Sequence, residues 1–170
     1  MISILVYIAV ATILGMGADN PTQEASTPDI SRTIGVCTSF EYLEAYSSCI
    51  GFSIAGFIRP VAWTEVGMGY ILLADSDNRY SYIGNWIGLY SPKLYKLQFT
   101  CGAAYDVRAD AESDNWSDEG PLLQSGVSLY TGVDATLKDN PNGYQYNLRT
   151  KVFFRDNSVG RISAGFYILN

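Results

Sequence analysis

The chain has 170 residues, which is enough for one domain with a buried core. Charged residues make up 16% of it and the net charge is −6, which excludes nucleic acid as the expected partner. There is no histidine, the side chain that most often acts as a general base or a metal ligand. Composition therefore argues against acid–base catalysis and against a metal site, and we predict no cofactor.

The first segment of the chain is apolar. Residues 2–16 contain no charge, but this run is shorter than the roughly 20 residues of a transmembrane helix. Its length is typical of the central part of a secretory signal peptide, and the small residues Gly15, Gly17 and Ala18 at its end suit cleavage. We predict that residues 1–18 are a signal peptide or an apolar anchor, with a buried first strand or helix as the alternative. Residues 19–33 are rich in Pro, Ser, Thr and acids, which predicts a flexible lead-in.

From Ile34 onward, apolar and polar residues alternate with a period of two, which indicates strands. Turn signals such as Ser91-Pro92 separate the runs, and no long helical pattern lies between them. Sequential strands with short connections predict an all-β fold, an antiparallel up-and-down meander that closes into a barrel of about eight strands over residues 34–170. The predicted strands are Ile34–Glu41, Ile50–Arg59, Glu65–Ala74, Tyr80–Tyr90, Leu94–Val107, Leu122–Leu137, Tyr144–Arg155 and Gly160–Leu169.

Aromatic residues recur at a spacing of ten along these strands. Ten strand residues span about 33 Å, or about 25 Å along a barrel axis when the strand is tilted by about 40°. That height equals the apolar band of a transmembrane barrel, whose two edges carry girdles of aromatic side chains. The spacing therefore predicts a lipid-facing girdle formed by Tyr80, Tyr90, Tyr95, Tyr105, Tyr144 and Phe154.

The polar face of the strands consists mainly of Gly, Ser, Thr, Gln and Asn, with a few charges of both signs. A soluble barrel needs a dense charged surface, whereas small residues suit the crowded lumen of a membrane barrel. Buried charges are costly unless they are paired. We therefore predict an interior charge network that links Asp134 to one or more of the bases, with the members Arg59, Lys96, Asp134, Arg149, Lys151 and Arg161. The alternative is a secreted or periplasmic soluble barrel that binds a small apolar ligand, with Trp63, Trp86 and tyrosines lining its interior.

With these features the stretch from Ile34 to Asn170 resembles the small eight-stranded bacterial outer-membrane barrels of the OmpA-transmembrane and OmpX type. The resemblance rests on architecture alone. It implies export, contact with membrane lipid, and a structural or surface-interaction role through the outward loops. Enzymes among outer-membrane barrels resemble one another in relying on a histidine, which this chain lacks, so we predict no catalytic residue. A narrow channel is a third possibility, disfavoured because side chains fill the lumen of an eight-stranded barrel.

The longest predicted connection, 108–121, is acidic. Its charged and aromatic members are Asp110, Glu112, Asp114, Trp116, Asp118 and Glu119. A solvated loop is one interpretation, and a site for a divalent cation or an unknown surface partner is the other, since hard cations prefer carboxylate oxygens. The spacing lacks the ordered ligands and the glycine of a calcium loop, so we predict no metal.

Cysteine spacing adds one further hypothesis. Cys37 and Cys49 flank a predicted hairpin, so they could form a disulfide in an oxidising compartment. Two reduced, partly buried thiols are an equally good interpretation. Cys101 lies on an apolar face and is assigned to packing.

Overall fold

A computed structural model of the chain describes residues 34–44, 48–109, 125–140, 143–155 and 158–170. The predicted signal peptide or anchor and the predicted lead-in lie outside these residues. No helix among the described residues is both long and apolar enough to cross a membrane. The eight strands are β1 (Ile34–Glu44), β2 (Ser48–Ile58), β3 (Thr64–Ala74), β4 (Arg79–Tyr90), β5 (Leu97–Arg108), β6 (Gly126–Asp139), β7 (Gln145–Arg155) and β8 (Ser158–Leu169).

Each strand pairs antiparallel with the next strand in the chain, and β8 pairs with β1 to close a barrel. Closure leaves no strand edge exposed, so every strand finds a hydrogen-bonding partner on both sides. The predicted all-β up-and-down barrel of eight strands is confirmed. Several predicted boundaries differ from the structure by one to four residues. The start of β5 moves from Leu94 to Leu97, because Leu94 and Leu97 bond each other across a two-residue turn. Tyr95 takes a φ of 58° in that turn and so leaves the strand.

The two ends of the barrel differ in their connections. We call one the turn end, where the backbone of Ile34 bonds that of Asn170. The connections at the turn end are 59–63, 91–96 and 140–144. We call the other the loop end, where the connections are 45–47, 75–78, 109–125 and 156–157. At the loop end Asp75 accepts hydrogen bonds from the backbone N–H groups of Asp77 and Asn78, which gives this acid a structural role in its turn.

Alternation along the strands separates an apolar exterior from a mixed interior. In β1 the side chains alternate between exposed and buried along its whole length. Large apolar side chains point outward, as in Phe40, which is 80% exposed, Ile50, 65%, and Leu129, 64%. Charged residues such as Glu65 and Arg149 point inward and are buried. This distribution is the reverse of that in a soluble barrel.

Glycines make room for the aromatic side chains that fill the interior. A Cβ atom built on Gly67 would collide with the ring of Trp86, and one built on Gly88 would collide with the hydroxyl of Tyr130. Trp86 and Tyr130 therefore each pack over a glycine of another strand, in the space that a side chain at that position would fill. This pairing of large with small residues lets an eight-stranded lumen close around aromatic side chains.

Candidate functional site

The interior carries its main cluster of charges in the half nearer the turn end, and the carboxylate of Glu65 is central to it. Glu65 is fully buried at the start of β3. Its Oε1 accepts a hydrogen bond of 2.8 Å from the indole of Trp86, and its Oε2 accepts one of 2.9 Å from the hydroxyl of Tyr90. A carboxylate removed from water needs such donors to offset its lost hydration.

Arg149 on β7 joins Glu65 to Asp134 on β6. Its Nη1 lies 3.0 Å from Glu65 Oε1, and its Nη2 lies 2.8 Å from Glu65 Oε2, which is a two-pronged contact. The same Nη2 lies 2.9 Å from Asp134 Oδ2. Arg59 also reaches both acids, at 3.3 Å from Glu65 and 3.4 Å from Asp134, and Lys151 lies 3.8 Å from Glu65. We call these five residues the Glu65 network.

Aromatic rings enclose the cations of the Glu65 network. The guanidinium carbon of Arg149 lies 4.2 Å from the ring centroid of Tyr167, and that of Arg59 lies 4.3 Å from the centroid of Tyr90. The network has three cations and two carboxylates, so the electron-rich faces of these rings stabilise the excess positive charge. The rings also exclude water from the ion pairs, which strengthens their attraction.

A second cluster lies nearer the loop end. Arg161 on β8 places Nη1 3.2 Å from Asp106 Oδ2 and Nε 3.6 Å from Glu41 Oε2. The other oxygen of Glu41 accepts hydrogen bonds from the hydroxyls of Ser53, at 2.6 Å, and Ser163, at 2.9 Å. We call Glu41, Asp106 and Arg161 the Glu41 network. It joins β1, β5 and β8, just as the Glu65 network joins β3, β6 and β7.

A cavity of about 50 Å³ lies between the two networks. Trp86, Ala104 and Phe153 line it together with members of both networks. That volume holds a few water molecules, whereas pockets for small organic ligands measure roughly 300–1,000 Å³. The middle of the lumen is therefore occupied by side chains. No three His, Cys, Asp or Glu side chains of the described residues are grouped in a way that could hold a metal ion.

The structure brings together four of the six residues predicted for an interior charge network. Arg59, Asp134, Arg149 and Lys151 belong to the Glu65 network. Arg161 is also buried, but its partners are in the Glu41 network.

The placement of Lys96 in the interior is wrong. Lys96 is exposed in the two-residue turn before β5, with its amine 5.5 Å from the ring centroid of Tyr95. The prediction extended the inward–outward alternation of β5 back to Leu94. Side chains alternate in this way only in an extended chain, and residues 95 and 96 form a turn.

Sequence reasoning missed the acids Glu65 and Glu41. The alternation of the strands could have located both acids, because it places Glu65 on the same strand face as Gly67 and Gly69, and Glu41 on the same face as Ser39. Small inward residues on the same strand thus mark an acid that points inward.

The predicted aromatic girdle is partly wrong. Tyr80 and Tyr90 are 3% and 6% exposed and point into the barrel. β4 is apolar on both faces, so the sequence could not fix which side faces out. Tyr95 lies in a turn, not on a strand. Tyr105 on β5 is exposed and points outward.

Aromatic side chains are exposed near both ends of the barrel. Tyr144, just before β7, is exposed at the turn end, and Phe154 is exposed at the loop end. Of the tryptophans suggested for a ligand-lined interior, only Trp86 points inward. Trp63 is 59% exposed, in the turn between β2 and β3.

The predicted disulfide between Cys37 and Cys49 is wrong: both side chains are buried, and they are not bonded to each other. Cys37 lies opposite Ala55, and Cys49 lies opposite Leu43. Cys49 is therefore six residues from the position that faces Cys37, about 20 Å along the strand, whereas a disulfide needs Cα atoms about 5.5 Å apart. The acidic residues 110–119 lie outside the described residues.

These features define an eight-stranded antiparallel barrel with an apolar exterior and a closed, charged interior. A designed transmembrane β-barrel aligns with 81% of this chain and 95% of its own length, at 11% identity and a TM-score of 0.56. The N-terminal β-barrel domain of Pseudomonas aeruginosa OprF aligns at 13% identity over 82% of this chain and 98% of its own, with a TM-score of 0.47. Neisserial surface protein A aligns at 12% identity over 81% and 95%, with a TM-score of 0.45. The sequence matches no protein-family model and no curated protein.

Proposed function

We propose that this protein is a non-enzymatic barrel of the bacterial outer membrane, which acts as a scaffold for surface contacts made by the connections at its loop end. The observation that carries the proposal is the inverted distribution of polarity. Outward side chains are mainly apolar around the barrel, while Glu65, Asp134 and Arg149 are buried inside. Only a hydrocarbon environment makes such an exterior stable, because in water it would expose a continuous apolar surface.

The dimensions of the strands support this environment. The strands have 11 to 14 residues. At about 3.3 Å per residue and a tilt of about 40°, an 11-residue strand spans roughly 28 Å along the axis, close to the thickness of a hydrocarbon core. Exposed aromatic residues lie near both ends, including Trp63 and Tyr144 at the turn end and Phe154 at the loop end. Such rings favour the interface between lipid and water.

The closed interior favours a scaffold over the two alternatives. Arg149 crosses the lumen to bond side chains from β3 and β6, so an open ion path would require this contact to break. The 50 Å³ cavity is too small for an apolar ligand, which disfavours the soluble ligand-binding barrel. Surface contacts are assigned to the loop end because its 109–125 connection is the longest between strands, and long loops usually carry function.

The first experiment is membrane fractionation followed by electrophoresis in detergent, with and without boiling. We expect the protein in the membrane fraction, with a mobility that changes on boiling as the folded barrel unfolds. A protein that stays in the soluble fraction and shows no change on boiling would contradict a membrane barrel.

A matched pair of variants tests the face assignment. Ile54 lies at mid-height on the outward face of β2, and Ile34 lies at the turn end of β1; they are 57% and 60% exposed. Ile54→Arg should reduce the free energy of unfolding in lipid by about 2–4 kcal/mol, and Ile34→Arg by about 0–1 kcal/mol, because the cost depends on depth. Equal effects of the two variants would contradict a membrane-facing exterior.

A further inference from the structure

The apolar outward face of β4 is interrupted at mid-strand by Asn85. Asn85 is six residues from the start of β4 and five from its end. Among the described strand residues, no other amide or charged side chain on the outward face lies so far from both ends of its strand. The neighbours of Asn85 on this face, Ile83 and Ile87, are exposed. The Asn85 amide has no hydrogen-bond partner among the described residues.

Asn85 lies in a groove on the outside of the barrel. The groove is shallow and open, and Met68 and Tyr105, which lie opposite Asn85 on β3 and β5, also line it. Gly56 and Ala103 form part of the same surface. A Cβ atom built on Gly56 would meet nothing within 4 Å, so this part of the surface is open. Small residues of this kind allow two membrane proteins to approach closely.

An amide group in the middle of a membrane-spanning strand needs a partner that has both a hydrogen-bond donor and a hydrogen-bond acceptor. Lipid tails fill an apolar groove but offer no hydrogen bond, and an unpaired amide in hydrocarbon is costly. A second asparagine amide has complementary partial charges, because each amide carries donor N–H groups and an acceptor oxygen. Two identical amides related by a twofold axis can therefore exchange two hydrogen bonds.

We propose that this outward face, centred on Asn85, binds a second copy of the chain, with the two Asn85 amides paired at a twofold axis. The inference rests on the proposed membrane location, since only hydrocarbon makes the unpaired amide costly. The apolar groove beside each amide receives outward side chains of the other copy.

Sedimentation equilibrium in density-matched non-ionic detergent micelles tests the proposal. We expect a monomer–dimer equilibrium for the wild type. Asn85→Leu should lower the association constant roughly 5- to 30-fold, which corresponds to the loss of about 1–2 kcal/mol from side-chain hydrogen bonds between two membrane proteins. The control is Thr131→Val, another outward polar residue, whose hydroxyl already donates to the Thr100 carbonyl at 3.4 Å; it should leave association unchanged.

Two outcomes would overturn the inference: a wild type that is monomeric at all concentrations, or an Asn85→Leu variant that associates as well as the wild type. Each variant is also inserted into phosphatidylcholine vesicles and assayed for the change in gel mobility on boiling. A wild type that inserts but stays monomeric contradicts the dimer alone. A wild type that does not insert contradicts the membrane location on which the dimer depends.

Discussion

Removal of the Arg149 guanidinium should destabilise the barrel strongly. In the Glu65 network, Arg149 is 3% exposed and bonds two carboxylates and the hydroxyl of Tyr90, at 2.6–3.3 Å. In Arg149→Met, Glu65 keeps Arg59 at 3.3 Å and Lys151 at 3.8 Å, while Asp134 keeps only Arg59, at 3.4 Å. Breaking a buried pair by removing one partner costs about 3–5 kcal/mol. We expect a loss in this range, because the remaining ion pairs are longer than the 2.8 Å and 2.9 Å ion pairs that Arg149 makes.

Equilibrium unfolding by urea in phosphatidylcholine vesicles measures this loss, followed by tryptophan fluorescence and by gel mobility. Arg79→Met is the matched control, because Arg79 is exposed at the start of β4 and should change the free energy of unfolding by less than about 0.5 kcal/mol. Arg149→Lys keeps the charge but not the two-pronged contact, so its loss should be smaller than that of the methionine variant.

A double-mutant cycle separates the pair from the rest of the network. In Glu65→Gln combined with Arg149→Met, the buried negative charge of residue 65 is gone. The double variant should therefore lose less stability than the sum of the two single losses, by about 0.5–3 kcal/mol. An Arg149→Met barrel within about 1 kcal/mol of the wild type would refute the reasoning that this ion pair holds the lumen closed.

Two further predictions concern backbone packing and the thiols. Gly165→Ala should destabilise the barrel by about 1–3 kcal/mol, because the new Cβ would collide with the backbone oxygen of Thr38. The control Gly56→Ala places its Cβ in open space, so it should be neutral or stabilise the barrel by less than about 1 kcal/mol. Urea unfolding that finds Gly56→Ala the less stable of the two would contradict the packing. Protein unfolded without reductant should bind three maleimides, since no disulfide links Cys37, Cys49 or Cys101. A mass showing only one bound maleimide would reveal a disulfide and contradict this arrangement.

Fold class and most face assignments could be predicted from the sequence, because alternation with a period of two is a local property of an extended chain. β7 illustrates this: Arg149 and Lys151 share a phase with Asn147, and all three point inward. β4 illustrates the limit, because aromatic and aliphatic residues occupy both of its faces. There the inward-pointing hydroxyls of Tyr80 and Tyr90 donate to acids outside β4, Asp75 in the preceding turn and Glu65 on β3.

A barrel of about eight strands with an apolar and a polar face could be predicted from the sequence, because the strand period and the turn residues are local features of the chain. The tertiary structure alone decided which charges meet. Glu65 and Arg149 are 84 positions apart, and their contact exists because the closed sheet brings β3 and β7 across one narrow lumen. Register likewise decided that Cys37 and Cys49 stay apart, since the pairing of β1 with β2 is fixed by the whole hairpin. Contacts across a lumen and along a register depend on how strands are arranged in space, which no local pattern specifies.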